Sequence, residues 1–348
     1  MAYSTINKHT DYFNANIYTG TGSSKTISGI NFAPDMVWTK ARAGTSSGSH
    51  AIVDQVRGGT KKIFPDLNNA ETTDAAAITS FTSDGYVMGS SGSFNTNTYT
   101  YVNWVFRAGG GTGSANTDGT INSTVSVNQT SGFSIVKYTG NGSAGATIGH
   151  GLGAVPDVII VKKLSGTSDW SSYHSVLGNT KYMRFNNSNP ATTASTYWNN
   201  TTPTSTVFTA GTTGNINGNG ADYVAYCYAA KEGYSKFGSY IGNGNADGTF
   251  VYTGFKPAFV MWKRYEDSGY DWDMYDTTRD THNVAFKELI TNSAGAESTS
   301  TVLSLDILSN GFKLRTSNGN GNDNNKPYIY LAFGQTLVGS NNVSATAR

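Results

Sequence analysis

The chain has 348 residues, of which only 14% are charged, and its 24 lysine and arginine residues nearly balance 23 aspartate and glutamate residues. A formal net charge of +1 gives no counterion-release drive toward nucleic acid and no polybasic attraction to anionic lipid, so neither partner is expected. The single cysteine, Cys227, cannot form an intramolecular disulfide and is expected to be a small buried core residue.

Neither a targeting signal nor a membrane segment is evident in the sequence. Residues 1–12 lack the apolar region of a signal peptide, and no stretch approaches the roughly 20 apolar residues of a membrane-spanning helix. The chain is therefore expected to be made in a cytoplasm and not to insert into a membrane.

One short phrase occurs three times in the chain. Tyr18-Thr19-Gly20 recurs as Tyr138-Thr139-Gly140 and as Tyr240-Ile241-Gly242, each followed by a second glycine two positions later. Glycine supplies the positive φ of a tight turn at no steric cost, so the phrase predicts a strand that runs into a turn. A phosphate-binding loop is the alternative, but it would need a helix to begin directly afterwards, and the residues that follow look extended.

Each phrase opens a unit of roughly 100 residues with a fixed order of features. A proline comes next, then an apolar run that ends in lysine, and the unit closes on an aromatic strand beginning at Tyr101, Tyr223 or Tyr328. This period is far longer than the roughly 20 to 50 residues of solenoid repeats, and a unit of this size can bury its own core. Each unit is therefore expected to be a whole domain.

Strand signals dominate the chain from end to end. Runs of β-branched and aromatic residues bounded by Gly, Asn, Ser and Pro lie at residues 35–40, 101–106, 133–138, 158–161, 223–228, 259–262, 311–315 and 328–333. Helical periodicity is nearly absent, and short helical turns are expected only at residues 70–78 and 284–291. The predicted fold class is all-β, with three tandem antiparallel β-sandwich (jelly-roll-like) domains of about 100 residues each.

The predicted organisation has six parts. They are an N-terminal arm at 1–12, repeat 1 at 13–107, a Gly/Ser/Thr-rich linker at 108–131, repeat 2 at 132–230, repeat 3 at 231–336 and a C-terminal tail at 337–348. The linker is expected to be flexible, with room for one strand at 121–127. Because the second junction is much shorter, repeats 2 and 3 should pack together, with repeat 1 hinged or held at a distance.

Aromatic residues beside acidic ones suggest a binding face. An aromatic ring next to carboxylate or amide groups is how many β-sandwich lectins hold a sugar. The candidate glycan-binding residues are Trp170, Tyr173, Trp272, Tyr275 and Asp276. Core packing explains the same residues more simply, because alternating aromatic residues on a strand ordinarily face the interior.

Lys40, Lys162 and Lys263 end the apolar runs of the three repeats. A lysine at a strand end usually buries its aliphatic stem and keeps its ammonium group in water. We expect that arrangement here, and the alternative is an ion pair that recurs between subunits.

Catalysis has little support in the sequence. Asp54 and Asp276 occupy similar places and are followed three residues later by Arg57 and Arg279, a spacing that predicts repeated structural ion pairs. Histidines do not recur at matching positions, and no nucleophile motif or pair of carboxylates at glycosidase spacing can be named. No catalytic residue and no cofactor are predicted.

Asn, Gly and Asp runs at 215–222, 243–248 and 318–325 could suggest calcium binding. Each run offers one carboxylate, whereas calcium takes six to eight oxygen ligands that usually include several carboxylates. Asn and Gly are favoured turn formers, so turns are expected there and no metal site is predicted.

Five stretches carry a resemblance to a known class of protein. They are residues 4–13, the phrase Pro34-Asp35-Met36-Val37-Trp38-Thr39-Lys40, residues 50–57, the strand Tyr223-Val224-Ala225-Tyr226-Cys227 and residues 232–240. Together they resemble uncharacterised virion structural proteins of marine tailed bacteriophages such as cyanophages and pelagiphages. The resemblance spans nearly the whole chain and implies an exposed component of the virus particle, of a kind often labelled a tail fibre.

The function expected from this resemblance is non-enzymatic. The chain is expected to be located in the virion as a tail fibre or tail-tip appendage that recognises the host cell surface. It would contact other virion proteins and a host surface glycan, as a homotrimer. The alternative is a capsid or tail decoration protein that clamps neighbouring subunits and binds no receptor.

Overall fold

The structure, a computed structural model, describes residues 4–43 and 48–336. Nearly all regular structure in these ranges is β-strand in antiparallel sheets, so the prediction of an all-β chain is confirmed. The predicted tail at 337–348 and the first three residues of the predicted arm lie outside the described residues.

The strands form three groups along the chain. The first group contains β1 (Phe13–Thr19), β2 (Lys25–Ile27), β3 (Met36–Ala43), β4 (Ala51–Asp54), β5 (Lys61–Lys62), β6 (Thr72–Thr73), β7 (Ile78–Thr82), β8 (Gly85–Met88) and β9 (Thr100–Phe106). The second contains β10 (Ser114–Asn116), β11 (Ser123–Asn128), β12 (Phe133–Thr139), β13 (Ala146–Gly149), β14 (Val158–Lys163), β15 (Ser171–His174), β16 (Lys181–Arg184), β17 (Thr192–Thr193), β18 (Val207–Ala210) and β19 (Asp222–Tyr228). The third contains β20 (Ser235–Ile241), β21 (Phe250–Tyr252), β22 (Phe255–Arg264), β23 (Asp273–Asp276), β24 (Leu289–Ile290), β25 (Leu305–Leu308), β26 (Gly311–Leu314) and β27 (Pro327–Thr336).

The larger sheets of the three groups share one strand order. The order is β1-β9-β3-β4 in the first group and β20-β27-β22-β23-β24 in the third, and the eight-stranded sheet of the second contains β12-β19-β14-β15. The smaller sheets are β2-β8-β7, β13-β18 and β21-β26-β25, and each shares an apolar core with the larger sheet of its own group. In each larger sheet the closing strand (β9, β19 or β27) therefore lies between the strand that carries the tyrosine phrase (β1, β12 or β20) and the strand formed by the apolar run.

The repeated tyrosine phrase marks the same structural feature in each group. The tyrosine of the phrase stacks on a tyrosine of the closing strand, with ring centroids 5.1 Å apart for Tyr18 and Tyr101, 5.2 Å for Tyr138 and Tyr223, and 4.8 Å for Tyr240 and Tyr328. The second glycine of the phrase has φ of +69° at Gly22, +72° at Gly142 and +65° at Gly244. The prediction of a strand running into a glycine turn is confirmed.

A buried asparagine holds each of these turns. Asn95, Asn217 and Asn322 are 0% exposed, and the side-chain oxygen of each accepts the backbone N–H of the residue after the first glycine of the phrase. Their amide groups donate to carbonyls on both sides of the turn. Because a buried amide must be fully bonded, this asparagine fixes the turn against the neighbouring loop.

Residues 108–131, predicted to be a flexible linker, belong to the second sheet. β10 and β11 extend that sheet beyond β12, with Val125 opposite Val136. Ile121 and Val125 are buried in the core of the second group, because alternate residues of a strand point to the same face. The segment therefore continues the fold from the first group into the second.

The predicted positions of the helical turns are wrong. Residues 70–78 and 284–291 contain turns and short strands without a helix. The short helices lie instead at α1 (Gly92–Asn95), α2 (Ser195–Trp198) and α3 (Gly214–Asn217), with a 3₁₀ turn at His9–Asp11. In four-residue helices the 3.6-residue periodicity has no room to develop, so pattern analysis could not locate them.

A joint core holds the three groups together. It is built from the faces of the larger sheets that point away from their smaller sheets. Phe106, Tyr228 and Phe333, at equivalent positions of the closing strands, contact one another there, with ring centroids 5.4, 5.7 and 6.0 Å apart. The first group contributes to this core as fully as the others, so the prediction that repeat 1 is hinged or held at a distance is wrong.

Removal of one of these rings should destabilise the whole molecule. We expect Phe333→Ala to lower the free energy of unfolding by about 3–5 kcal/mol, because the cavity lies where all three groups meet. Urea unfolding followed by fluorescence measures this, and the joint core predicts one cooperative transition. Val302→Ala is the control, since Val302 is 63% exposed and should change stability by less than about 0.5 kcal/mol. Two separate transitions in the unmodified protein would contradict a shared core.

Candidate functional site

The five residues predicted to bind a glycan are all buried. The exposed fraction is 0% for Trp170, 3% for Tyr173, 2% for Trp272, 1% for Tyr275 and 3% for Asp276. Their strands, β15 and β23, have one face in the core of their own group and the other in the joint core. These residues therefore offer no surface on which a sugar could stack, and core packing is the explanation that holds.

Residues at one repeated position tie each group to its neighbour. The position directly before β4, β15 and β23 is occupied by His50, Trp170 and Trp272. Each ring nitrogen lies 2.9–3.0 Å from a backbone carbonyl of another group: His50 Nε2 from Ile290, Trp170 Nε1 from Phe64 and Trp272 Nε1 from Arg184. The three contacts follow one another around a ring.

His50 acts as a neutral donor in this ring. Burial, with a further contribution from Lys40, lowers the pKa of His50 well below its usual value. Its Nδ1 accepts the Trp38 indole N–H at 3.0 Å, which leaves Nε2 as the protonated nitrogen that donates to Ile290. An imidazole in this role replaces the indole that the other two groups use.

Backbone hydrogen bonds close the same ring. An N–H from each group donates to a carbonyl of the next: Glu71 to Leu164 at 3.1 Å, Ala191 to Tyr265 at 2.8 Å and Glu297 to Arg42 at 2.9 Å. The first group thus contacts the second, the second contacts the third and the third contacts the first, so head-to-tail contacts close a ring within one chain.

The Asp–Arg spacing seen in the sequence forms a buried ion pair in the first group. Arg57 Nε lies 2.6 Å from Asp54 Oδ2, and the Tyr226 hydroxyl of the second group donates to the same oxygen at 2.8 Å. Asp54 Oδ1 accepts the backbone N–H of Arg57, and the guanidinium also contacts Glu71 at 3.0 Å. Both carboxylate oxygens are engaged, so the pair is structural, in agreement with the prediction.

The third group repeats this arrangement. Arg279 Nε lies 2.5 Å from Asp276 Oδ2, and the indole N–H of Trp104 in the first group donates to that oxygen at 3.0 Å. His174 stands at the matching place in the second group, with Nε2 3.4 Å from the Tyr330 carbonyl, and burial lowers its pKa to about 4. The neutral histidine needs no arginine beside it.

The three repeated lysines do not extend to water. Lys40, Lys162 and Lys263 are 0% exposed, and their ammonium groups donate to backbone carbonyls of the loops that follow their strands. Lys40 also reaches Ala294 of the third group at 2.9 Å, and Lys162 reaches Asn68 of the first at 3.1 Å. Burial lowers the pKa of each lysine to about 8. The sequence prediction of solvated strand-end lysines is wrong, because the loop after each strand covers its lysine and, for Lys40 and Lys162, a loop of a neighbouring group does so as well.

Asp273 is a buried acid that sequence reasoning did not single out. It lies on β23, where the first and second groups have Ala51 and Ser171. Burial, and then the neighbouring Glu288 carboxyl, raise the pKa of Asp273 well above its usual value. A fully buried acid cannot touch a substrate, so Asp273 is no catalytic candidate.

A polar cleft of about 240 Å³ lies between the first and second groups. Its lining includes Lys61, Glu71, Lys137 and Asp222, and a second cleft of about 360 Å³ shares the last two residues. The linings contain charges of both signs without a histidine or cysteine to act as base or nucleophile. The clefts can bind water and polar groups but lack a constellation for catalysis.

The described ranges contain neither a cluster of metal-ligating side chains nor a membrane-spanning helix. Within residues 4–43 and 48–336, no three His, Cys, Asp or Glu side chains are grouped so that they could hold a metal ion. In the same ranges, every helix is too short or too polar to span a bilayer.

The chain belongs to the family defined by DUF7483, a domain of unknown function, whose model matches residues 8–336. The match covers all three strand groups, so the family unit is the complete ring of groups and not a single repeat. Neither a curated protein nor a solved structure matches the chain.

Tyr226→Phe tests the contact between the first two groups. We expect a loss of about 1.5–3 kcal/mol in the free energy of unfolding, because the hydroxyl donates to a buried carboxylate. Tyr228→Phe is the matched control: it removes a hydroxyl two residues away and installs the residue found at the equivalent Phe106 and Phe333. Chemical denaturation of both variants measures the difference, and equal losses would contradict a specific role for the Tyr226 hydroxyl.

Lys162→Met should change how stability depends on pH. The lysine has a folded pKa of about 8 and an unfolded value of 10.5, so between these pH values the unfolded chain binds more protons. The contribution of this lysine to stability should therefore rise through that window, by up to about 1.4 kcal/mol per pH unit. Unfolding at pH 7 and pH 10 should show a smaller rise for Lys162→Met than for Lys137→Met, since Lys137 is exposed. Parallel profiles for the two variants would contradict a lowered pKa of Lys162 in the folded protein.

Proposed function

We propose that the chain consists of three tandem β-sandwich domains closed into a ring, and that it is a non-enzymatic structural protein of a bacteriophage virion. Its place would be on the outside of the particle, in a tail fibre or tail tip that recognises the host cell surface. The family match names no activity, so the proposal rests on the resemblance to phage virion proteins and on the molecule's physical character.

The closed ring is the observation that carries the proposal. Three equivalent backbone contacts and one joint aromatic core lock the groups to one another. Such a body is rigid, and several of its buried charged side chains bond to residues of a neighbouring group. These properties suit a part that must keep its shape on a particle surface.

Surface composition supports the same proposal. With 14% charged residues and a net charge of +1, the chain is solvated mainly by hydroxyl and amide groups. Many copies can then accumulate in the host cytoplasm without a strong electrostatic pull toward nucleic acid or membrane before they join the particle.

A capsid or tail decoration protein is the second candidate. The ring favours it because three similar groups around one axis offer three similar contact surfaces to the particle. The burial of all five predicted sugar-contacting residues also removes one argument for a receptor-binding tip. Three groups of one chain already form the closed ring that three separate copies would form in a homotrimer. A homotrimer would therefore have to use other surfaces, and it stays a prediction.

Immunogold electron microscopy of intact particles tests the proposal. Antibody raised against the folded protein should label the outside of particles of the virus that encodes it, with particles lacking the gene as the control. Label at the tail tip or fibres supports the first candidate, and label over the head supports decoration. If mass spectrometry finds no such protein in purified particles, the proposed function is wrong.

A further inference from the structure

Two aromatic side chains on one strand stand out from the rest of the molecule. Phe250 is 44% exposed and Tyr252 is 50% exposed, and both lie on the outer face of β21. Every other aromatic side chain in residues 4–43 and 48–336 is buried or half-buried. The two exposed rings are therefore neighbours, about 7 Å apart along the strand.

The fold does not require aromatic residues at these two positions. In the register of the smaller sheets, the first group has Thr26 and Ser28 there, and the second group has Thr147 and Gly149. The residue between them is apolar and buried in all three groups, as Ile27, Ile148 and Val251. Packing thus selects the inward residue, and the outward aromatic pair of the third group serves something else.

The corresponding strand of the second group is covered by its own chain. The backbone N–H of Ile121 donates to the Thr147 carbonyl at 3.0 Å, and Thr120 contacts the Thr147 side chain at 2.8 Å. Gly149 leaves room for the side chain of Asn116, which a Cβ at that position would meet. The third group has no such covering segment among the described residues, and Phe250 and Tyr252 face outward instead.

Side chains of the third group obstruct the addition of a further β-strand at this edge. The Lys236 ammonium donates to the Tyr252 carbonyl at 2.9 Å and lies 5.2 Å from the centroid of its ring. Thr249 Oγ1 donates to the Ile241 carbonyl at 2.8 Å, which links β21 to β20. A lysine on an edge strand is a common protection against pairing with another chain. These contacts favour a ligand that lies on the rings over a peptide that adds to the sheet.

Charged groups of both signs surround the two rings. Asp247 is 72% exposed at its side chain and lies 2.8 Å from Lys313 and 3.1 Å from Arg315, and Lys313 is directly opposite Phe250 on β26. A carboxylate accepts hydrogen bonds from hydroxyl groups, while ammonium and guanidinium groups donate to hydroxyl and ring oxygens. Ring faces bordered by such groups have the chemistry that sugars require.

We propose that Phe250 and Tyr252 form a binding face for a polysaccharide chain. The C–H faces of consecutive sugar rings lie on the two aromatic rings, and Asp247, Lys313 and Arg315 bond the hydroxyl groups. The inference builds on the proposed function, because it supplies the surface with which an exposed virion protein would hold a host glycan. It moves the predicted glycan contact from the buried tryptophans to the outer edge of the third group.

The double variant Phe250→Thr/Tyr252→Ser tests this face. The first group already carries Thr and Ser at these positions, so the variant should fold as the unmodified protein does. Both proteins are applied to an array of host-envelope polysaccharides that also carries dextran and dextran sulfate, at low salt and at about 0.5 M salt. We expect the double variant to lose roughly tenfold or more in affinity for the carbohydrate that the unmodified protein binds at both salt concentrations. Val302→Thr, an exposed apolar site on another loop of the same group, should bind normally.

Three results would overturn the inference. The first is an array on which the unmodified protein binds no carbohydrate. The second is equal binding of the carbohydrate by the double variant and the unmodified protein. Binding of both proteins to dextran sulfate alone, lost at high salt, belongs to this case, because it shows only electrostatic adsorption of a polyanion. The third is cross-linking of this face to another virion protein in intact particles. The proposed function is tested separately, since gold label on the particle with a silent array removes only the glycan face.

Discussion

Three aromatic rings meet at the centre of the molecule, and their contact fixes how the three larger sheets lie against one another. Phe106, Tyr228 and Phe333 bring the closing strands of the three larger sheets to one axis. Each larger sheet is consequently covered on both faces, by its own smaller sheet and by the other two groups. Antiparallel sheets commonly leave one face in water and then alternate apolar and polar residues. The closing strands here are buried at almost every position, which explains why they read as continuous aromatic and aliphatic runs.

Because the larger sheets are covered on both faces, charged residues on their strands are buried as well. A carboxylate or ammonium group carried into the interior is costly unless it is bonded there, and several of these groups bond both within their own group and to a neighbouring one. Asp54 thus meets Tyr226 and Asp276 meets Trp104, while Lys162 reaches the carbonyl of Asn68. Such contacts add little net stability but are directional, so they fix which face of one group meets which face of the next. The apolar core supplies the attraction between groups, and these polar contacts define the alignment.

The sequence predicted the parts of this fold that depend on local chemistry. The tyrosine phrase, its glycine turn and the strand runs could all be placed because each follows from residues close together in the chain. Core packing of Trp170 and Trp272 could be anticipated, but their contacts with another group could not, since periodicity identifies a strand without telling what covers its second face. Composition misled at residues 108–131, where small polar residues indicate a linker although Ile121 and Val125 carry the alternation of a strand. For the exposed pair on β21 a signal was present, because aligning the three repeats sets Phe250 against Thr26 and Thr147.

Comparison among the repeats separates residues that maintain the fold from residues that do something further. Positions where all three groups agree, such as the turn asparagines and the buried lysines, have a packing role visible in their contacts. Positions where one group departs divide into two kinds. His174 departs from Asp54 and Asp276, yet it is buried and fills the matching place between two strand groups with a neutral ring. Phe250 and Tyr252 depart at the surface, where exposed apolar area lowers solubility and the contact of the Tyr252 ring with the Lys236 ammonium offsets little of that effect. A departure that exposes apolar surface is the pattern expected of a binding surface, which is why the proposed glycan contact lies on β21 and not in the joint core.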